Sequence, residues 1–151
     1  MKSLLIAVLG IFFIINVSQS QDFSANSLQD VKRNLAYCSA VMMFRASQIK
    51  NGTYTFPSPQ EADEMFNQHI LLSQESLKLA NKLGGDKMDK IGEKNYKQLI
   101  AEHIKLKESG MSGLEANKLT DTKINAAAEK CATYRHNKKA MKILESIVIE
   151  K

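Results

Sequence analysis

From Leu28 onward the apolar residues of this chain fall at intervals of three and four, and no stretch alternates long enough to compete as a strand. The pattern predicts a first helix over 27–49, where Leu28, Val31, Leu35, Cys38, Met42 and Ile49 keep the spacing and Ser27 with Asp30 forms a capping pair. Asn51-Gly52 ends it. After the loop "NGTYTFPSP", Ser58 as N-cap, Pro59 at the first helical position and Glu61 three residues beyond the cap start a second helix. Its acidic start, with Glu61, Asp63 and Glu64, suits the positive end of the helix dipole.

Met65, Phe66, Ile70, Leu72, Leu77, Leu79, Ala80 and Leu83 carry the second helix to Gly84-Gly85. A third begins at Asp86, turns Met88, Ile91, Tyr96, Leu99, Ile100, His103, Ile104 and Leu106 wholly or partly inward, and closes at Ser109-Gly110. The fourth starts either at a Ser112 to Glu115 capping box or, on the firmer pattern, at Thr120. It is read as one rod through Ile124, Ala127, Ala128, Cys131, Met141, Leu144 and Val148. Short connections between helices two and three, and three and four, make neighbours antiparallel. The expected fold is therefore all-α, an antiparallel up-down-up-down four-helix bundle.

The first twenty residues, "MKSLLIAVLGIFFIINVSQS", lie outside that pattern. One lysine precedes a continuous apolar run from Leu4 to Ile15, and the small residues Ser18 and Ser20 follow it. The run is too short to cross a bilayer comfortably, so residues 1–20 read as a secretory signal peptide and the mature chain begins near Gln21. No cysteine stands at the cleavage site for lipid attachment, and the mature chain has no transmembrane segment. The roughly 130 residues that follow make one domain with one core. They keep all but one of the 21 Lys and Arg residues and all 16 Asp and Glu residues. That mildly basic balance falls far short of what nucleic-acid binding shows, so nucleic acid is not an expected partner.

Export changes the meaning of the chain's 2 cysteines, Cys38 and Cys131. In an oxidising compartment they are expected to pair, joining helices one and four and closing a loop whose chain entropy is worth roughly 4 kcal/mol. Two antiparallel helices pinned at Cys38 and Cys131 bring residue n of the first level with residue 169 − n of the last. Arg33 then stands level with His136, and Lys32 with Asn137, so two basic segments distant in sequence meet at one end. The stretch from Lys130 to Lys142 contains no carboxylate. Lys32, Arg33, Arg135, His136 and Lys139 are thus candidates for binding an anionic envelope component or an acidic protein face. Charge runs on amphipathic helices also serve simply as solvated coats.

Other chemistry finds less support. A four-helix bundle with Met42 or Met43 on the first helix and His136 on the last resembles, in outline, the b-type four-helix cytochromes, which hold haem between an axial Met and an axial His. The disulfide opposes that pairing: Met42 is level with Ala127, and His136 lies nine residues further, roughly 13 Å along the helix axis. His69 and His103 come to similar heights when the chain folds at Gly84-Gly85, with Asp121 or Glu102 as an oxygen donor. Two histidines without a convincing third ligand make only weak metal candidates. No G-x-S-x-G elbow, phosphate-cradling glycine loop or C-x-x-C-H motif is present. No cofactor is implied. Asn51-Gly52-Thr53 is an N-glycosylation sequon, meaningful in a eukaryote. In compartment, cysteine count and helical content the chain is similar to the small acid-resistance chaperones of the bacterial periplasm, although no motif connects the two. The expectation is an exported, non-enzymatic module that binds a partner at its basic end. A small-ligand or haem carrier and a metal-dependent activity near His69 and His103 are the alternatives.

Overall fold

The computed structural model describes residues 23, 25–84, 87–134 and 137–149; the expected signal segment, 1–20, lies outside the described residues. The chain forms α1 (Leu28–Lys50), α2 (Pro59–Gly84), α3 (Lys87–Glu108), α4 (Gly113–Tyr134) and α5 (Lys138–Ile149), and no strand is found among the described residues. Four long helices pack together. None among the described residues is long and apolar enough to cross a membrane.

Local chemistry sets the boundaries. Ser27 and Asp30 form the reciprocal cap of α1, the Asp30 amide donating to Ser27 Oγ at 3.1 Å and the Ser27 amide to Asp30 Oδ2 at 3.0 Å. Gly52, at φ +70°, turns the chain out of α1, and the Thr53 amide closes the end on the Gln48 carbonyl at 3.0 Å. Ser58 Oγ accepts from the Glu61 amide at 3.2 Å, opening α2. Between the two starts open for the fourth helix, the structure takes the earlier: Ser112 and Glu115 exchange amide-to-side-chain bonds of 3.0 and 3.3 Å.

The fourth helix does not continue as one rod. It ends at Tyr134, and Asn137 caps a separate α5, its Oδ1 accepting from the amides of Lys139 at 2.9 Å and Ala140 at 3.2 Å. Asparagine is among the best N-caps and a mediocre interior helix residue, so the cap competes well with continuation here. Packing favours the same outcome. Ala140 and Ile143 join Val31, Leu35, Ala80, Met88 and Tyr134 in one cluster, which folds α5 back toward the start of α1.

Helix α1 is the centre of the assembly. It packs against α2, α3 and α4, and its buried residues lie around its whole circumference. Small groups let the neighbours reach its backbone. Ser73 of α2 donates to the Ser39 carbonyl at 2.9 Å, which leaves the Ser39 hydroxyl to donate to Ser73 Oγ, also at 2.9 Å. On α3, a Cβ placed on Gly92 would stand 3.3 Å from Leu77 Cδ1 and 3.7 Å from the Ala36 carbonyl oxygen. The α4 side is held covalently: Cys38 and Cys131 are both buried and bonded, with Cα atoms 5.5 Å apart. A second core cluster surrounds that bond with Phe44, Val41, Leu99, Ile124 and Ala128. Phe23 meets Tyr37 and Tyr134 edge to face, at 5.9 Å in each case, and packs against both clusters.

Replacing both cysteines by alanine is expected to lower unfolding free energy by about 2–5 kcal/mol, measured by urea denaturation, because the cross-link closes most of the chain. Substituting Gly92→Leu should cost about 1–3 kcal/mol by forcing α3 from α1. Gly92→Ala should be nearly neutral, its better helix propensity offsetting a small shift of the flexible Leu77 end. Equal loss in both Gly92 variants would show that the close approach to α1 is not what the glycine serves.

Candidate functional site

The two ends of α1 carry different chemistry. At its beginning, Arg33 is exposed and Lys32 half-buried, while Lys138, Lys139 and Lys142 are exposed on α5. Val31 and Ala140 share one buried cluster, which brings their neighbours Lys32 and Lys139 to the same end of the molecule. Lys139 arrives there on α5, around the Asn137 corner, and not on an extension of α4. Arg135 and His136 lie outside the described residues. Asp30 is the nearby carboxylate in sequence, and it is occupied in the α1 cap. The two ion pairs among the described residues, Lys97 with Glu93 and Lys123 with Glu102, use none of these cations.

Beside this end runs a mainly apolar groove of about 220 Å³, formed by α1, α2, Tyr134 and α5. Val31, Leu35, Leu79 and Ala140 supply its apolar surface, and Glu75 and Ser76 the polar part. Burial raises the Tyr134 pKa, helped by the Asp30 charge and opposed by a hydrogen bond with Asn34. The phenol therefore stays protonated at the edge of the groove.

The histidines each have a local partner. His69 Nδ1 lies 2.7 Å from the Met65 carbonyl, an acceptor, so Nδ1 carries the proton and Nε2 the lone pair. His103 Nδ1 lies 2.9 Å from Thr120 Oγ1, whose own proton goes to the Ala116 carbonyl at 2.9 Å. Thr120 must then accept from His103, which fixes the Nδ1–H tautomer and prevents that imidazole nitrogen from acting as a base toward the threonine. Burial is the main cause lowering both histidine pKa values. Around His69 the Arg45 charge adds to it and the Met65 bond opposes it; around His103 Lys107 adds and Asp121 opposes. No group of three or more His, Cys, Asp or Glu among the described residues is arranged to hold a metal ion. Met42 is buried in the core cluster, and Met43 is half-buried.

At the far end of α1 the structure opens a polar cleft of about 410 Å³ between the last turn of α1, residues 51–53, α3 and α4. Its walls include Gln48, Thr53, Tyr96, His103, Lys107 and Asn117, over apolar surface from Phe44 and Ile100. Thr53 Oγ1 donates to Gln48 Oε1 at 2.8 Å. Asn117 Oδ1 is buried without a hydrogen-bond partner among the described residues. Behind this end Tyr54 donates to Asp121 Oδ1 at 3.1 Å; burial and then the Asp121 carboxylate push the Tyr54 pKa up to about 12, against the Arg45 charge. The sequon residues Asn51 and Thr53 both line the cleft.

Sequence reasoning had singled out His103 here but not Gln48, Lys107 or Asn117. A signal existed for one of them: asparagine within the second turn of a helix is a costly choice unless its side chain meets something. No protein-family model matches the chain, nor does any curated protein or solved structure.

The histidine environments set a pH dependence. Above their ordinary pKa of 6.5 both imidazoles are neutral, folded or unfolded. As pH falls through that value the unfolded chain takes up protons first, because the folded pKa values are lower, so stability is full above 6.5 and declines as pH falls toward and through them. Urea midpoints should therefore drop between about pH 7.5 and 5.5, above the range where ordinary carboxylates titrate. A His69→Gln, His103→Gln double variant should show a flatter profile. A wild-type midpoint that stays level across this range would contradict the buried neutral state of both rings.

Proposed function

We propose that the protein is an exported, non-enzymatic helical binding module, its four long helices running alternately up and down, and that its basic end engages an anionic component of the cell envelope. The observation that carries this reading is the set of exposed cations where α1 begins and α5 folds back: Arg33, Lys138, Lys139 and Lys142 stand in solvent, outside the two ion pairs of the described residues. Lysines and arginines held near an anionic surface contribute about 1 kcal/mol each, so a few suffice for a reversible, salt-sensitive contact. The groove beside them offers apolar surface to the same partner. Export is supported by the signal-like pattern of residues 1–20 and by the buried Cys38–Cys131 bond, which suits an oxidising compartment. The non-enzymatic reading is supported by His103, whose tautomer keeps it from activating the threonine it touches.

Mature protein should sediment with vesicles containing phosphatidylglycerol at low salt and much less with phosphatidylcholine vesicles. The attraction should fade as ionic strength rises toward about 0.15 M. An Arg33→Glu, Lys139→Glu double variant should bind the anionic vesicles at least about tenfold more weakly, since two attractive charges become repulsive. Its urea midpoint should be unchanged, because exposed charges contribute little to stability. Equal binding by wild type and variant at low salt would sink the proposal.

A further inference from the structure

We propose that α5 is a membrane-anchoring helix, which lies in the headgroup layer of an anionic bilayer and inserts its Met141 side among the acyl chains. This rests on the basic-end reading above and deepens it, committing that end to a phospholipid surface rather than an acidic protein or polymer. The helix runs KKAMKILESIVI over Lys138–Ile149.

At about 100° per residue, Ile143, Ile147, Ala140, Leu144, Val148 and Met141 share an arc roughly 160° wide, in that order around the helix. Lys138, Lys139, Lys142, Glu145 and Ser146 occupy the remainder, together with Ile149. A helix of a globular fold usually turns such an arc to the core. Among the described residues the body takes one edge of it: Ala140 is buried and Ile143 half-buried in the cluster around Val31 and Leu35. At the opposite edge Met141 is 39% exposed, and Leu144 and Val148, three and seven residues beyond it, hold register positions on that same side. Among the described residues α5 packs less extensively on the body than any of the four long helices.

Charge indicates what covers that side. Met141 borders the groove over α1 and α2, where half-buried Leu79 and exposed Glu75 form the α2 wall. Lys78 and Lys82, on either side of Leu79 in sequence, are exposed, as are Lys138, Lys139 and Lys142 on α5. Residues 75–82 and 138–149 together carry those five lysines against two carboxylates, Glu75 and Glu145. Anionic headgroups meet the lysines, and the hydrocarbon beneath them receives the methionine side; an acidic protein or polymer offers the charge without that depth. Long lysine stems let the ammonium groups stay among the headgroups as the helix sinks. The 12 residues of α5 span about 18 Å, short of the roughly 30 Å hydrocarbon core, so the helix lies in the plane of the surface.

The chain has no tryptophan, so a single one reports depth without background. Full mature protein carrying Met141→Trp is mixed at low salt with phosphatidylglycerol vesicles that contain phosphatidylcholine brominated in its acyl chains. Its emission should move to shorter wavelength and be quenched. Leu114→Trp, at a position 80% exposed near the start of α4, should keep its emission unchanged. Independently, Met141→Gln should weaken sedimentation with phosphatidylglycerol vesicles about fivefold, by withdrawing apolar surface from the hydrocarbon. Its urea midpoint should match wild type, since glutamine and methionine are near equals in a helix and Met141 is already exposed. Vesicle binding without quenching at position 141, or binding of Met141→Gln equal to wild type, would overturn insertion and leave the electrostatic contact standing. Equal quenching of Leu114→Trp would overturn it too, by showing that α5 is not the part that enters. No sedimentation with phosphatidylglycerol vesicles at low salt would take the basic-end reading down with it.

Discussion

Helix α1 has α2, α3 and α4 against it at once, and a helix enclosed in this way cannot place a polar stripe in water as the others do. Each of its faces must suit a neighbour. Towards α2 and α3 the solution is smallness, with Ser73 donating to one α1 carbonyl and Gly92 leaving room beside another. Towards α4 it is the Cys38–Cys131 bond. The polar residues enclosed with it are satisfied in pairs, Ser39 with Ser73 and Gln48 with Thr53, so α1 keeps its hydrogen-bonding groups without the penalty of leaving them unmet. Because α1 is the shared wall of the molecule, both candidate sites form where its two ends emerge.

Enclosure also explains which parts of the fold could be read from the chain. Caps are local chemistry, and Ser27, Asn51-Gly52, Ser58 and the Ser112 box all act where the sequence puts them. The disulfide was legible because two cysteines leave a single possible pairing. What periodicity could not give was the depth of each residue. On α2 the buried line runs through His69, Ser73, Ser76 and Ala80, with Leu72, Leu77, Leu79 and Leu83 only half-buried beside it. A search for apolar residues finds the shoulders of such a face and misses its centre, because close approach selects small side chains over greasy ones.

The end of α4 was misread for a related reason. Met141 and Leu144 were counted as continuing the helix of Cys131, yet on one rod they would lie about 80° and 140° around from it, a change of face that marks the corner. Asn137 decides the matter through its own side chain, and the gain that makes the corner worthwhile is tertiary: Ala140 and Ile143 reach the cluster around Val31 and Leu35. The basic character of this end was evident from composition, since no carboxylate separates Lys130 from Lys142. Its arrangement was not, because the level argument assumed a rod that stops at Tyr134. The cleft at the other end was less legible still, being built from residues of three helices and a turn that share no spacing.

The contrast between the two ends follows from how each disposes of its polar groups. At the basic end charge stands in solvent, where it costs little to maintain and acts over roughly a Debye length, so that end suits an extended surface and needs no fixed geometry. At the cleft, polar groups are held at fixed positions by the folded helices: Thr120 orients His103, and Thr53 orients Gln48. Fixed polar groups out of water discriminate between ligands through the shape and order of their donors and acceptors. Holding them costs stability that a solvated charge does not, and the enclosed α1 with its covalent tie to α4 supplies the rigidity that makes such a cost tolerable.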